Sequence, residues 1–418
     1  MVDRSLAAEQ FYHGLLPRED IKSMLKNNGD FLVRTTEPVA GKPRAIVISV
    51  MVDHHDEDKG IKHYVVQRTS TGKYIIDKYG FDSISEMVNH HKNKESLVKT
   101  AEIIIRTPIL RQNWELSHDD ITVTKKLGEG AFGEVSKGTL KLKDGSSVSV
   151  AIKLAKLEVL KKEQIKEIVR EARLMRNFSH PNIVKCYGVA AGQEPLMVVM
   201  ELVSDGALDS YLQKTSLTPS QKMDFCLGAA WGIEYMHTKN VLHRDIAARN
   251  CLVGDGKIKI SDFGLSREGS TYQMDPRRRV PIRWLAPETL RTAKYSRKTD
   301  VWAYGIMCWE IFANGAEPYG GMTVGEVNAK VKSGYRMPLP ECTPTDMHQI
   351  VEVRCWSDSP NDRWAMSEIA RALERITGTA KPTKNDNTLV MKSLMQSTTN
   401  RSAYGGPKSE FSFLGERY

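Results

Sequence analysis

No apolar run in this 418-residue sequence approaches the roughly 20 residues that span a bilayer. The first ten residues, MVDRSLAAEQ, lack the apolar core of a secretory signal, and Val2 excludes N-myristoylation. Cysteine is scarce. The six (Cys186, Cys226, Cys251, Cys308, Cys342 and Cys355) show no CxxC pair and no metal-ligand spacing. That excludes a disulfide framework and a zinc module, and leaves the reduced, mostly buried thiols of a cytosolic protein. No internal repeat, RNA-binding motif, zinc finger or long basic helix is present. The net charge of +9 is therefore not assigned to nucleic acid; it suits anionic lipid, or acidic and phosphorylated peptides. The 40% hydrophobic and 27% charged fractions describe a globular chain, and the length asks for two or three domains.

Residues 11–108 carry a compact mixed pattern. PREDIKSMLKNNG (17–29) predicts a helix, with Pro17 in its first turn, Ile21, Met24 and Leu25 on one face, and Gly29 as its stop. DFLVR, AIVISVMV, KHYVVQR and KYIID predict strands. FDSISEMVNHHK (81–92) predicts a second helix capped by Asp82 or Ser83. The strands alternate little, so both faces of their sheet are expected to be covered. Residues 109–120 read as a linker and 121–377 as a larger unit that starts with strands and ends with helices. Residues 378–418 are polar and are expected to be disordered.

The larger unit holds an ordered series of motifs. LGEGAFGEV (127–135) places Gly128, Gly130 and Gly133 as GxGxxG between strand-like flanks. A dinucleotide loop would open a helix instead, so the flanks favour a hairpin lying over ATP. Lys153 ends VAIK and suits phosphate oxygens. Alone it reads as a surface lysine. EQIKEIVREARLM (163–175) has helical period, with Glu171 at the edge of its apolar stripe, where a carboxylate could pair with Lys153; alone it reads as a solvated helix glutamate. HRDIAARN (243–250) puts Asp245 and Asn250 five positions apart, and Asp262-Phe263-Gly264 follows across the strand KIKIS. Asp245 would take or orient the proton of an attacking hydroxyl. Asn250 and Asp262 would hold Mg²⁺ on the phosphates. Ala286-Pro287-Glu288 follows, with Arg363 the expected partner of Glu288 and Asp300 the expected cap of the catalytic-loop backbone.

This series, taken together, resembles a eukaryotic protein kinase domain. The resemblance implies a bilobal fold with ATP between the lobes, Met200 as gatekeeper, Glu201 at the start of the adenine-binding hinge, and Ala151 and Leu252 on either side of the ring, with Leu127 and Val135 flanking the glycines. Two features bear on the hydroxyl. Ala247 stands where serine/threonine kinases usually carry lysine, and Arg249 follows four residues after Asp245, as in tyrosine kinases. VPIRWLAPE (280–288) carries Pro281, whose ring can pack on a phenol. Tyrosine is the expected acceptor. Tyr272 is the lone tyrosine of the activation segment 262–288 and is expected to be autophosphorylated, its phosphate pairing with Arg244 or Arg267. Arg277, Arg278, Arg279 and Arg283 make that segment basic, which reads either as a solvated run or as a preference for acidic residues near the target.

In the smaller unit, FLVR (31–34) ends an apolar strand in arginine. A buried guanidinium needs an anion, and for a lone strand arginine a structural salt bridge is the usual answer. Arg18 and His63 could converge on Arg34, and three donors suit a phosphate dianion. The text FYHGLLPRED…GDFLVRTTE…KHYVVQ resembles an SH2 (Src homology 2) domain, which binds phosphotyrosine peptides. By that resemblance Thr36 adds a hydroxyl to the pocket and Tyr64 shapes the groove beyond it. Phe11 replaces the usual tryptophan, and Val65 stands where some relatives are basic. SH2 followed by a tyrosine kinase resembles the C-terminal half of the Fer/Fes family of non-receptor tyrosine kinases, over roughly residues 11–377. The F-BAR and coiled-coil region of that family is expected to be missing. The implied fold class is α+β multidomain: an SH2 fold, an antiparallel sheet between two helices, and then the kinase fold. The implied cofactors are ATP and Mg²⁺. The implied partners are phosphotyrosine proteins and tyrosine-containing substrates. Location is expected to be cytoplasmic, with recruitment to the inner face of the plasma membrane through phosphorylated receptors. The SH2 domain is expected to support kinase activity. The competing reading is a catalytically weak SH2-bearing adaptor, suggested by Ala303 and Trp364 at positions usually Ser and Pro. Tyr404 and Tyr418 in the tail read as docking sites or as plain tail residues.

Overall fold

The computed structural model describes residues 4–36, 44–56, 59–130, 133–156, 160, 162–275 and 280–382. Arg277, Arg278, Arg279, Tyr404, Tyr418 and the tail from 383 on lie outside the described residues. The described residues form two compact units: those up to Arg176 with Cys186–Leu202, and Asn177–Lys185 with 203–382.

Among the described residues the first unit holds two five-stranded sheets and a small three-stranded one of Gln67–Arg68, Tyr74–Ile75 and Gly80–Phe81. In the first, β2 (Asp30–Thr36), β3 (Ala45–Met51) and β4 (Ile61–Val65) are antiparallel, while β1 (Tyr12–Leu15) and the short strand Thr107–Pro108 run parallel to β2. Both faces are covered, as the poor alternation requires. Phe31, Val33, Ile48 and Val50 pack with Ile84, Met87 and Val88 of one helix (Ile84–His91), whereas Leu32 and Met51 pack with Leu16, Ile21 and Leu25. Ser83 caps the former helix, its side chain accepting from Glu86 N. The helix expected over 17–29 is shorter, Arg18–Met24 (α1). Asp30 ends it: its carboxylate accepts from Lys26 N at 3.0 Å and Asn27 N at 2.8 Å, turning the chain into β2. KYIID contributes only a two-residue strand, Tyr74–Ile75.

The second sheet has the order Cys186–Ala190, Leu196–Glu201, Ser147–Ala155, Gly133–Lys141, Ile121–Gly130, all antiparallel. Ile121, Leu140, Val150, Ile152 and Val199 are its core. The linker continues along the edge strand: Leu116 N donates to Val189 O and Val189 N to Trp114 O. Helix α2 (Lys162–Arg176) carries Arg173 and Arg176, and both hold the buried carboxylate of Asp20 on α1, at 2.7 and 2.9 Å. Beside them Gly14, at φ 60°, brings its backbone against Ala191, where a Cβ would lie 2.0 Å from the carbonyl oxygen.

The second unit is helical. Helices Pro219–Thr238 (α3) and Arg297–Phe312 (α4) are buried on nearly every side, which is why their sequences show almost no polar face. Capping boxes start both, Thr218 with Gln221 and Ser296 with Thr299. Asp300, at the first turn of α4, accepts from His243 N at 3.0 Å and Arg244 N at 2.9 Å, so the loop that follows is anchored to the most buried helix. Arg363 grips Glu288 through two bonds of 2.8 and 2.7 Å.

Candidate active site

In the first unit the strand register brings one set of side chains to one face. Val135 pairs with Lys153, and Ala151 pairs with Met200; cross-strand partners share a face, and so do Ala151 and Lys153 two residues apart. Glu201 is the next residue along, opposite Val150. Leu127, Gly128 and Gly130 end one arm of the glycine hairpin and Gly133 opens the other. Gly133 sits at φ 146°, and a Cβ there would fall 2.2 Å from Leu154 O, so only glycine lets the hairpin fold back so closely. Lys153 Nζ donates to Glu171 Oε1 at 2.6 Å, and Glu171 is buried. The lysine is thereby held extended from the sheet by a carboxylate of α2.

In the second unit, the loop 243–250 bends sharply at Arg244, whose φ is 71°. Burial pushes the Asp245 carboxyl above its usual range, while Arg249 and His243 pull it down. Arg249 donates to Asp245 Oδ1 at 2.5 Å, and its guanidinium lies 4.0 Å over the Trp284 ring. Asp245 and its cation thus form one preset pair. Asn250 Nδ2 donates to Asp245 O at 2.8 Å, which leaves Asn250 Oδ1 as the free acceptor of the amide. Asp262 is exposed, at φ 53°, and one of its oxygens accepts from Gly264 N at 3.3 Å. Phe263 beside it is buried between Phe178 and His243, 5.4 and 5.3 Å away, which pins the loop. Two hard oxygens, one carboxylate and one amide, fit an ion that keeps most of its shell for water and phosphate, as Mg²⁺ does. Among the described residues no cluster of three or more His, Cys, Asp or Glu offers a fuller protein cage. Leu252 lies in the two-stranded sheet formed by Cys251–Gly254 and Lys257–Ile260.

Tyr272 lies in the short strand Thr271–Gln273, opposite Tyr295. The Arg244 guanidinium is 3.9 Å from the centroid of the Tyr272 ring and Arg267 is 5.6 Å away. Both cations expected to receive its phosphate already flank the phenol. Arg283, expected among the basic residues of this segment, donates instead to the carbonyls of Pro318, Tyr319 and Met322, at 3.0, 3.1 and 2.7 Å. Its role there is to tie two loops together.

In the SH2-like sheet Arg34 is 1% exposed. It donates to Leu16 O at 3.0 Å and Ser49 Oγ at 3.2 Å. Ser49 Oγ lies 2.9 Å from His63 Nδ1, so serine links the two expected donors. Burial lowers Arg34 to about 10 and His63 to about 4; Arg18 lowers both, and Arg34 lowers His63 as well. Arg18 and Arg34 thus repel one another, while burial and both cations hold His63 neutral above about pH 4. Thr36 ends the same strand, half-buried. The sequence reading missed Ser49 and Asp20. A polar residue inside AIVISVM was the available signal for the first; nothing local marked the second, whose partners are 153 and 156 residues away.

Comparison with known proteins gives consistent matches. Residues 121–373 match the protein tyrosine and serine/threonine kinase family, and residues 11–91 match the SH2 domain family. The chain is 39% identical over 381 residues to tyrosine-protein kinase Fer of Homo sapiens, covering 90% of this chain and 44% of that protein. It is 38% identical over 380 residues to Fer-related kinase 1 of Caenorhabditis elegans, covering 90% of this chain and 95% of that one. A third relative, the tyrosine-protein kinase transforming protein Fps of avian sarcoma virus (strain PRCII), is 34% identical over 384 residues, 90% of this chain and 69% of its own. The chain thus spans under half the length of human Fer and nearly all of the nematode kinase.

Proposed function

We propose a function from one premise: this chain belongs to the Fer-like family of tyrosine-protein kinases that carry an SH2 domain. It transfers the γ-phosphoryl group of ATP to tyrosine side chains of proteins, and its SH2 domain binds phosphotyrosine segments. The observation that carries this reading is the contact of Arg249 with Asp245 at 2.5 Å, with Arg249 stacked on Trp284. A cation four residues after the aspartate, lying on an indole, supplies positive charge beside Asp245 from the position that tyrosine kinases use. Pro281 stands three residues before that indole and would support the phenol ring.

The residues divide the work. Gly128, Gly130 and Gly133 let backbone N–H groups approach the phosphates, and Lys153, held by Glu171, takes their oxygens. Ala151, Met200, Glu201, Leu127, Val135 and Leu252 bind the base. Asn250 Oδ1 and the Asp262 carboxylate would hold Mg²⁺, which neutralises phosphate charge when bound. Asp245 orients the phenol and receives its proton. Its raised proton affinity, caused by burial, suits that task. In the SH2 pocket Arg34, Arg18, His63 and Thr36 receive the phosphate of a phosphotyrosine. Phosphorylated receptors would bring the chain from the cytoplasm to the inner face of the plasma membrane. Among the described residues no helix is long and apolar enough to cross a membrane.

The test is transfer from Mg-ATP onto mixed tyrosine and serine/threonine peptides, followed by phosphoamino-acid analysis. Phosphotyrosine is expected, falling by about 10²- to 10⁴-fold in Asp245→Asn. Phosphoserine or phosphothreonine would overturn the assignment of Arg249 and Pro281. No transfer, even after phosphorylation of Tyr272 by another kinase, would leave the SH2-bearing adaptor.

A further inference from the structure

Glu310 lies near the end of α4, in the run WEIFA, where a carboxylate is out of place among apolar residues. It is 5% exposed. Its Oε2 atom accepts two bonds from distant segments: Ala248 N, inside the catalytic loop, at 3.0 Å, and Trp284 Nε1 at 3.0 Å. The Trp284 ring is the surface on which Arg249 lies, at 4.0 Å, and Arg249 holds Asp245 at 2.5 Å. One carboxylate oxygen therefore sets both the plane under the arginine and the backbone between Asp245 and Asn250. The Nη1 atom of Arg249 is buried and has no hydrogen-bond partner among the described residues, so nothing else fixes that end of the guanidinium.

We propose that Glu310 is a positioning residue for phosphoryl transfer, acting through Trp284 and Ala248 to hold Arg249 and Asp245 in their reacting geometry. The inference deepens the kinase reading and rests on it. Glu310 touches neither ATP nor the phenol in this scheme, so its effect belongs to the transfer step rather than to binding. The groups that face it are the Ala248 and Trp284 N–H donors, the Arg249 guanidinium, the Asp209 carboxylate at the start of helix Leu208–Lys214, and the Cys251 thiol. Burial raises Glu310 to about 7; the bonds from Trp284 and Ala248 and the charge of Arg249 pull it down, and Asp209 pushes it up. Ionised, Glu310 makes two charge-assisted bonds; protonated, it makes weaker ones and gains an O–H to place. The transfer rate should thus climb as the pH rises through the neutral range.

The experiment measures kcat and both KM values on the full chain between pH 6 and 8.5, for wild type, Glu310→Gln and Trp284→Phe. Glutamine keeps the shape and an acceptor oxygen but cannot ionise. Phenylalanine keeps the stacking face but loses the N–H. The wild-type kcat is expected to rise with a midpoint near neutrality. Glu310→Gln is expected to lose that limb and about 10- to 100-fold in kcat at pH 8, with KM for ATP unchanged, as a small misplacement of reacting groups does. Trp284→Phe should lose kcat to a similar degree, and it keeps the test decisive if the glutamine variant fails to fold. A wild-type kcat and limb in both variants, or a loss confined to KM, would overturn the proposal. Wild-type protein that forms no phosphotyrosine would remove the kinase reading itself, and this inference with it.

Discussion

At the scale of single residues, burial governs the chemistry more than residue type does. Arg34 and His63 are both weakened as bases because they are buried together near Arg18. His63 binds its proton near pH 4 in the folded state, against the ordinary 6.5 in the unfolded chain. Between those values the unfolded chain binds more protons than the folded one. The stability tied to this group is whole above pH 6.5 and drains away as the pH falls toward 4. His180, buried near Lys381 and Lys259, is lowered to about 4 as well and adds to the same effect. Melting temperatures at pH 7.5 and 5 should therefore differ less in His63→Gln than in wild type. Arg34→Lys keeps the charge but not the planar fork. It should weaken binding of a phosphotyrosine peptide by about 10- to 100-fold in calorimetry, while the unphosphorylated peptide binds equally poorly to both.

At the scale of elements, two contacts join segments with separate tasks. Asp20 on α1 holds Arg173 and Arg176 on α2, the helix whose Glu171 holds Lys153. Asp20→Asn leaves two guanidiniums without their counter-charge and should cost roughly 3 kcal/mol in chemical unfolding, the lower end for a broken buried pair. It should also lower kcat, since α2 loses the anchor that sets the height of Glu171. The activation segment is the second case. Tyr272 is half-buried against Arg244, with its strand paired to Lys294–Ser296. A phosphate on Tyr272 would turn a cation–π contact into a charge pair with the arginine that precedes Asp245. Tyr272→Phe should reduce activity of the autophosphorylated enzyme by about tenfold and leave phosphopeptide binding to the SH2 domain unaltered; equal activity would sink the regulatory role.

At the scale of the whole molecule, the linker packs against both α2 and β1. Trp114 lies under the Arg176 guanidinium at 3.8 Å, and Glu115 meets His13 of β1 at 2.8 Å. A protein of residues 112–377, without the SH2 domain, should therefore be less active than the full chain at equal ATP. Matching rates would show that the SH2 domain gives no support. Legibility also differed with distance along the chain. Lys153 with Glu171, Asp300 with the catalytic loop, and Glu288 with Arg363 were expected pairings, because each residue belongs to a recognisable motif, and all three contacts are present. The α1 helix is shorter than its pattern predicts, because Asp30 ends it from outside that pattern.

The motif residues and the family are legible in the linear chain, because glycine spacing, helical period and the HRD and DFG tripeptides are local patterns. Which buried polar groups act together emerges from the fold: Ser49 between Arg34 and His63, Asp20 between two arginines, Glu310 beneath Trp284 and Ala248. The physical reason is common to all three. A polar side chain in an apolar run tells that it must be satisfied, but its partner comes from another segment, and folding alone brings the two within reach.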